Sequence, residues 1–212
     1  MIKNKPGSME SQYLLCEQIA SQAAFIVNNL QQTDYTHIEN IDPDLGIYDC
    51  DCSGFVGFVL EDIAPDYYAM IPKEVNQLRA RAFEYYDFFI SLTTEPTSNW
   101  QPLFFLRDVR PGDVIAWRFV EIETGHDTGH VLFVAEAPVI IDDDIFAIRV
   151  YDSAADSHSH DTRGNNEGEF KSGVGSGIIN FKVDDTGKPV EFQFTPNSDF
   201  KNLPIAIGRI NN

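Results

Sequence analysis

The sequence predicts an α+β domain: an N-terminal helical part, about residues 9–92, packs on an antiparallel six-stranded sheet or small β-barrel over about residues 113–210. Three observations carry that expectation. Apolar residues recur at helical spacing early in the chain, strand-like runs replace them after Arg110-Pro111-Gly112-Asp113, and no internal repeat is present. With 212 residues and 43% hydrophobic content, the chain can bury one substantial core, so residues 1–212 read as a single domain.

The first helix is predicted from Ser11 to Leu30, where Leu14, Leu15, Ile19, Ala23, Ile26 and Leu30 share a face. Cys16 lies inside it and reads as a small buried hydrophobe. Residues 31–50 hold Pro43, Gly46 and several aspartates without periodicity, which predicts a long loop. A second helix is expected from about Cys52 to Asp62, with Phe55, Val56, Val59 and Leu60 facing inward. Pro72 fits the first turn of a third helix through about Leu92, in which Val75, Leu78, Ala82, Tyr85 and Phe89 share a face. Strands are expected at 114–119, 130–136, 145–151, 176–183, 189–195 and 204–210, with Asp185-Thr186-Gly187-Lys188 as a hairpin connection. The segment 152–177, dense in glycine, serine, histidine and aspartate, is too long and polar for a routine connector and is expected to border a site.

Charge narrows the partners. Lys+Arg 15 against Asp+Glu 33 gives a formal charge of -18, which repels phosphate backbones and anionic membrane surfaces. Neither nucleic acid nor membrane insertion is expected. No window approaches the ~18 consecutive apolar residues of a membrane span, and the first thirty residues lack the basic, apolar, small-residue order of an export signal. The expectation is a soluble protein, either cytoplasmic or an exported mature form. Cys16, Cys50 and Cys52 are an odd number of cysteines and too few for a disulfide scaffold, so at least one free thiol is expected.

One of those thiols stands where chemistry is possible. In Asp51-Cys52-Ser53-Gly54-Phe55-Val56 the cysteine opens a helix, and a helix N-terminus can lower a thiol pKa from about 8.5 to roughly 3.5–7.5. Cys50 also follows an aspartate, but it stays in the preceding loop where the dipole field is weaker, so Cys52 is the candidate nucleophile. A structural or metal-binding Cys-x-Cys pair is the competing reading, and no second cysteine pair exists to complete a zinc site. Gly129-His130-Val131 puts a histidine where an apolar strand begins, making His130 a better candidate base than His126 in the loop before it. The next strand ends at Asp152, which can accept from the imidazole and select its tautomer; His158, His160 and Asp161 are rivals for that place.

Three blocks, Asp51-Cys52-Ser53-Gly54-Phe55-Val56, Arg110-Pro111-Gly112-Asp113-Val114-Ile115 and Gly129-His130-Val131, together resemble the NlpC/p60-type cysteine peptidases, bacterial cell-wall hydrolases. The blocks occur in that family's order. The resemblance covers about residues 33–152 and implies a papain-like fold, with the cysteine helix packed on a β-barrel. It also implies cleavage of amide bonds in peptidoglycan stem peptides or muropeptides, without metal or organic cofactor, by Cys52, His130 and a polar residue on the next strand, often histidine, asparagine or glutamine in that family, where this chain has Asp152. Tyr35 stands where the family often has a tyrosine in the site, although Thr36-His37-Ile38-Glu39 replaces the usual glycine pair. Ser53, His160 and Arg163 are further candidates for substrate binding, Arg163 through a substrate carboxylate. The insertion before the arginine-proline turn is a second departure from the family pattern.

Two other readings accompany this one. The same residues support deamidation, transamidation or acyl transfer to a protein or lipid, because fold does not settle reaction. Alternatively His126, His130, His158, His160 and neighbouring aspartates form a divalent-metal site, or the chain is a non-catalytic binding protein.

Overall fold

The computed structural model describes residues 9–95, 99–122, 127–164 and 171–211. Its first helix, α1 (Met9–Asn29), turns Cys16, Ile19, Ala23 and Ile26 inward, the spacing read from the sequence. The expected loop over 31–50 is instead a small mixed sheet of β1 (Gln32–Asp34), β2 (Asn40–Asp42) and β3 (Ile47–Asp49), in the order β1-β3-β2. Strands of three residues are too short to show a period. Side chains pin them: Asp49 Oδ2 accepts from Gln32 Nε2 at 2.7 Å and from Asn40 Nδ2 at 3.0 Å.

Helix α2 (Cys52–Ile63) buries Phe55, Val56, Val59 and Leu60. The single long helix expected from Pro72 to Leu92 is not formed. A short α3 (Pro65–Tyr68) and α4 (Ala82–Ser91) flank an irregular stretch, in which Val75 and Leu78 are 88% and 96% exposed. Two local reasons are visible. Asn76 has φ 69, outside the helical region, and the Glu84 carboxylate accepts from the N–H groups of both Glu74 and Arg81, folding the stretch back on itself. Ala82, Tyr85 and Phe89 of α4 are buried as expected.

The main sheet has eight antiparallel strands rather than six, and it does not close into a barrel. Its order is β10 (Pro189–Gln193), β9 (Gly173–Val183), β8 (Ile145–Ala154), β6 (Gly129–Val134), β5 (Val114–Arg118), β11 (Ile205–Ile210) and β4 (Trp100–Leu103), with β7 (Val139–Asp142) paired to β8. The two strands absent from the sequence reading are β4 and β7. Pro102 disguises β4, and it is tolerated because β4 ends the sheet. All four residues of β7 are exposed, so no alternation marks it.

Alternation along β5 and β6 divides the core. Val114, Ala116, Val131 and Phe133 pack with α1, α2 and α4, whereas Ile115, Trp117, Leu132 and Val134 join Ile148, Val150, Ile179, Phe181 and Phe192 on the other face. The sheet curls over that second face, bringing Phe192 of β10 onto Trp117 of β5 with ring centroids 4.1 Å apart. Among the described residues no helix is long and apolar enough to cross a membrane.

Trp100 is fully buried beside Phe89, 5.4 Å between ring centroids, and donates to the Tyr67 carbonyl at 3.0 Å. Trp100→Ala is expected to cost about 3–5 kcal/mol in urea denaturation. Leu78→Ala should stay within about 0.5 kcal/mol, because Leu78 is a surface residue; a core-sized loss would restore the continuous third helix.

Candidate active site

Cys52 is the first residue of α2, and Asp51 caps that helix by accepting from the Gly54 N–H at 2.8 Å. The cap is itself held on every side. Ser53 Oγ donates to Asp51 Oδ1 at 2.9 Å, Arg79 Nη2 meets Asp51 Oδ2 at 2.6 Å, and Arg79 Nε meets Glu39 Oε1 at 2.5 Å. Arg79 Nη1 donates to Ser53 Oγ as well. His37 Nδ1 lies 3.0 Å from Asp51 Oδ2, and its Nε2 lies 3.2 Å from Asp127 Oδ1. Burial opposes the Asp51 charge, but Arg79 and the hydrogen bonds from His37, Arg79 and Gly54 hold the carboxyl below its usual range.

Cys52 is buried, and the Val131 N–H is the backbone group that favours its thiolate. Burial pushes the thiol well above the ordinary cysteine pKa, the Asp51 charge adds to this, and the Val131 N–H and Arg79 offset only part. The sequence expectation of a thiol lowered by the helix start is therefore corrected. Removal from water and a capping carboxylate outweigh the helix terminus, so the resting thiol is protonated. Burial and Asp51 also raise Cys50, whose sulfur points at the Tyr48 carbonyl 3.9 Å away. Burial and Asp113 push Cys16 up to about 11.

On the adjoining strand, His130 Nε2 lies 2.7 Å from Asp152 Oδ2. The expected strand β8 runs three residues further than its apolar pattern, through Asp152, Ser153 and Ala154, and this extension brings the carboxylate beside β6. Asp152 is completely buried, and burial alone would raise its pKa. The Arg163 and His158 charges, with hydrogen bonds from His130 and His158, instead hold it well below the carboxylate range. An ionised carboxylate only accepts, so His130 carries its proton on Nε2 and leaves Nδ1 as the basic nitrogen. The imidazole is fixed further by stacking on Trp117, 5.0 Å between centroids, and by the edge-on ring of Phe194 at 5.1 Å. Gly129, at φ 139, is required before it, because a Cβ there would sit 2.0 Å from the Trp117 carbonyl oxygen.

Two neighbouring depressions serve these groups. A narrow crevice of about 40 Å³ over Cys52 is bounded by Tyr35, Ser53, Ala82 and Gly129. A larger cavity of about 240 Å³ beside His130 is walled by Trp117, Phe119, Phe192, Phe194 and Leu203. Tyr35, Asp127 and Gly129 line both. Burial raises the Tyr35 phenol, with Cys52 the next cause, so its hydroxyl is a neutral donor near the sulfur.

The structure thus gathers Tyr35, Ser53 and Cys52 at one crevice and His130 and Asp152 at the adjoining strand pair. His160 is exposed at φ 51 on the polar segment. Arg163 does not face solvent: its side chain is 1% exposed, Nη2 pairs with Asp152 Oδ1, and Nη1 pairs with Asp161 Oδ2 at 2.8 Å. A substrate carboxylate has no access to it there. His126 lies outside the described residues, and among those described no group of three or more metal-ligating side chains converges. Arg79 and His37 escaped the sequence reading. Arg79 lay within the expected third helix, and only its departure from that helix aims it at Asp51.

No protein-family model matches the chain, and no curated protein or solved structure matches it significantly.

Near neutral pH, iodoacetamide is expected to label Cys52 slowly in the native protein and fully after denaturation in urea, as read by mass spectrometry. Rapid native labelling of Cys52 below about pH 8 would show a preformed thiolate and contradict the effect of burial and Asp51.

Proposed function

We propose that this protein is a thiol-dependent amide hydrolase of papain-like type, with Cys52 as nucleophile, His130 as base and Asp152 as its orienting partner. The observation that supports it most is the tie between β6 and the thiol. His130 is held at Nε2 by Asp152 at 2.7 Å, while the N–H of the next residue, Val131, acts on the Cys52 thiol and favours its ionised form. A basic nitrogen and a thiol are thereby referenced to one strand.

The resting thiol holds its proton, so the proton leaves sulfur only as the sulfur attacks. Cys52 Sγ bonds to the amide carbonyl carbon and its proton passes to His130 Nδ1. The carbonyl carbon–nitrogen bond then breaks as His130 returns that proton to the departing amine, leaving an acyl-enzyme. Water attacks the thioester, delivering a proton to His130; the carboxylic acid leaves and the proton returns to sulfur. Asp152 stays ionised throughout, stabilising the transient imidazolium. The partly buried Tyr35 hydroxyl and the first N–H groups of α2 are the donors available to the developing oxyanion.

The resemblance to NlpC/p60 enzymes favours a peptide or muropeptide as substrate. The aromatic walls of the cavity beside His130 favour a substrate that carries a bulky apolar group near the scissile bond. They also support a second reading, acyl transfer, because an apolar enclosure disfavours water against a larger acceptor.

Cys52→Ala and His130→Ala should each remove turnover of amide substrates; Cys52→Ala should leave the unfolding midpoint near wild type, whereas His130→Ala should also lower it, because buried Asp152 loses a donor. Phe194→Ala should raise KM for substrates with an aromatic group more than for their alanine analogues. Hydroxylamine as competing acceptor separates the two readings: a dominant hydroxamate product favours acyl transfer, a free acid favours hydrolysis. Full activity of Cys52→Ala would overturn both.

A further inference from the structure

Asp152 is shared. Besides His130, its Oδ2 lies 2.9 Å from Nε2 of His158, a residue 2% exposed, and its Oδ1 pairs with Arg163 Nη2. The other ring nitrogen of His158, Nδ1, faces the Phe194 carbonyl oxygen at 2.9 Å. Neither oxygen can donate: one belongs to a carbonyl and the other to an ionised carboxylate. Both nitrogens of His158 must therefore carry hydrogen, which makes it a buried imidazolium. The same direction follows from its surroundings, since burial disfavours the charge but Asp152 outweighs it and raises the pKa.

The chain builds a dedicated seat for this cation. Residues 155–164 run along the edge of β9 as a strap, held by Thr162 N–H to the Ser176 carbonyl at 2.8 Å and by Ile178 N–H to the Ser159 carbonyl at 2.7 Å. Asp161 braces it from within, accepting from His158 N–H at Oδ2 and from Arg163 N–H at Oδ1, each at 2.7 Å. Glycines make room beneath. A Cβ at Gly175 would lie 2.4 Å from Arg163 Cγ, and one at Gly177 would lie 2.5 Å from His158 Cβ. The Phe194 ring closes the seat, 4.4 Å from the His158 ring and edge-on to it.

We propose that His158 is a positioning residue, a fixed buried cation that with Arg163 neutralises Asp152, so that this carboxylate orients His130 while leaving Nδ1 free to act as the base. An uncompensated buried aspartate would stabilise the His130 imidazolium and remove the base near neutral pH. Two cations on Asp152 weaken that pull without abolishing it. The charged groups around the cluster are Asp152 on β8, His130 on β6, Arg163 and Asp161 on the strap, and the Cys52 thiol within the field of Asp152. The consequence rests on the proposed thiol chemistry; the charge state does not.

The test uses the full chain carrying Cys52→Ala, with histidine ring nitrogens observed by NMR. His158 is expected to show two ring N–H groups near pH 8; a single one, marking a neutral ring, overturns the proposal. In the same background His158→Gln, which keeps a donor and removes the charge, should move His130 protonation about one pH unit higher. An unmoved His130 in a folded His158→Gln protein also overturns it, and if that variant does not fold, the wild-type charge state decides alone. With the thiol restored, the acid limb of kcat/KM should move by the same amount, whereas a purely structural role lowers activity equally at every pH. Absent turnover with the NMR shift intact would reject the thiol-hydrolase reading and leave the inference standing.

Discussion

The Asp152 carboxylate is the group on which the arrangement around β6 and β8 depends. A lone ionised carboxylate cannot remain fully buried, because the cost of leaving water is far larger than any single contact returns. Here Asp152 receives two imidazole nitrogens, at 2.7 and 2.9 Å, and one guanidinium. Those donors come from β6 and from the strap that follows β8, so a purely electrostatic requirement ties β6, β8 and the strap to one point. Satisfying the charge and orienting His130 are the same event.

A second buried carboxylate does comparable work across the site. Asp51 caps α2 and is met by Arg79, Ser53 and His37. The thiol lies between these two charged clusters without belonging to either. Asp51 makes the thiolate less favourable and Arg79 makes it more favourable, with burial the larger effect. In the proposed mechanism this favours proton transfer coupled to attack over a standing thiolate–imidazolium pair. It also keeps an exposed reactive thiolate off a protein of formal charge -18.

What the sequence reveals follows from the range of the interactions involved. The core of α1 and α2 and all six apolar strands were legible, because burial on one face leaves a period in the chain. The stretch from Val75 to Leu78 shows that a period can mislead: Asn76 at φ 69 and the double use of Glu84 override it. Strands β1 to β3 are too short for any period, and β7 is exposed along its whole length. At the site, Cys52, His130 and Asp152 stood out because each lies at the end of a regular element. Arg79 and the pairing of Arg163 were not legible, since both depend on where irregular chain turns. His158 appeared as a rival to Asp152 and as a candidate metal ligand, whereas the structure makes it the partner of Asp152.

The strand pair β8–β9 explains how two such clusters keep a fixed relation. Asp152 stands on β8, and the strap along the edge of β9 lays the side chains of His158 and Arg163 over glycines of that strand. The approach to the cysteine is tied to the same two strands. Ser153 Oγ donates to the Cys50 carbonyl at 2.6 Å, and Val174 N–H donates to Thr33 Oγ1 at 2.7 Å, with Thr33 in turn bonded to the Tyr48 carbonyl. Neighbouring residues of β8 therefore do separate jobs on opposite faces: Asp152 reaches towards the imidazoles, and Ser153 towards the loop that delivers the thiol. Because side chains alternate along a strand, one backbone segment sets both distances at once. A shift of register by one residue would exchange the two faces and dissolve the site, which gives the long β8–β9 ladder, ten residues from Ile145 to Ala154, a purpose beyond stability.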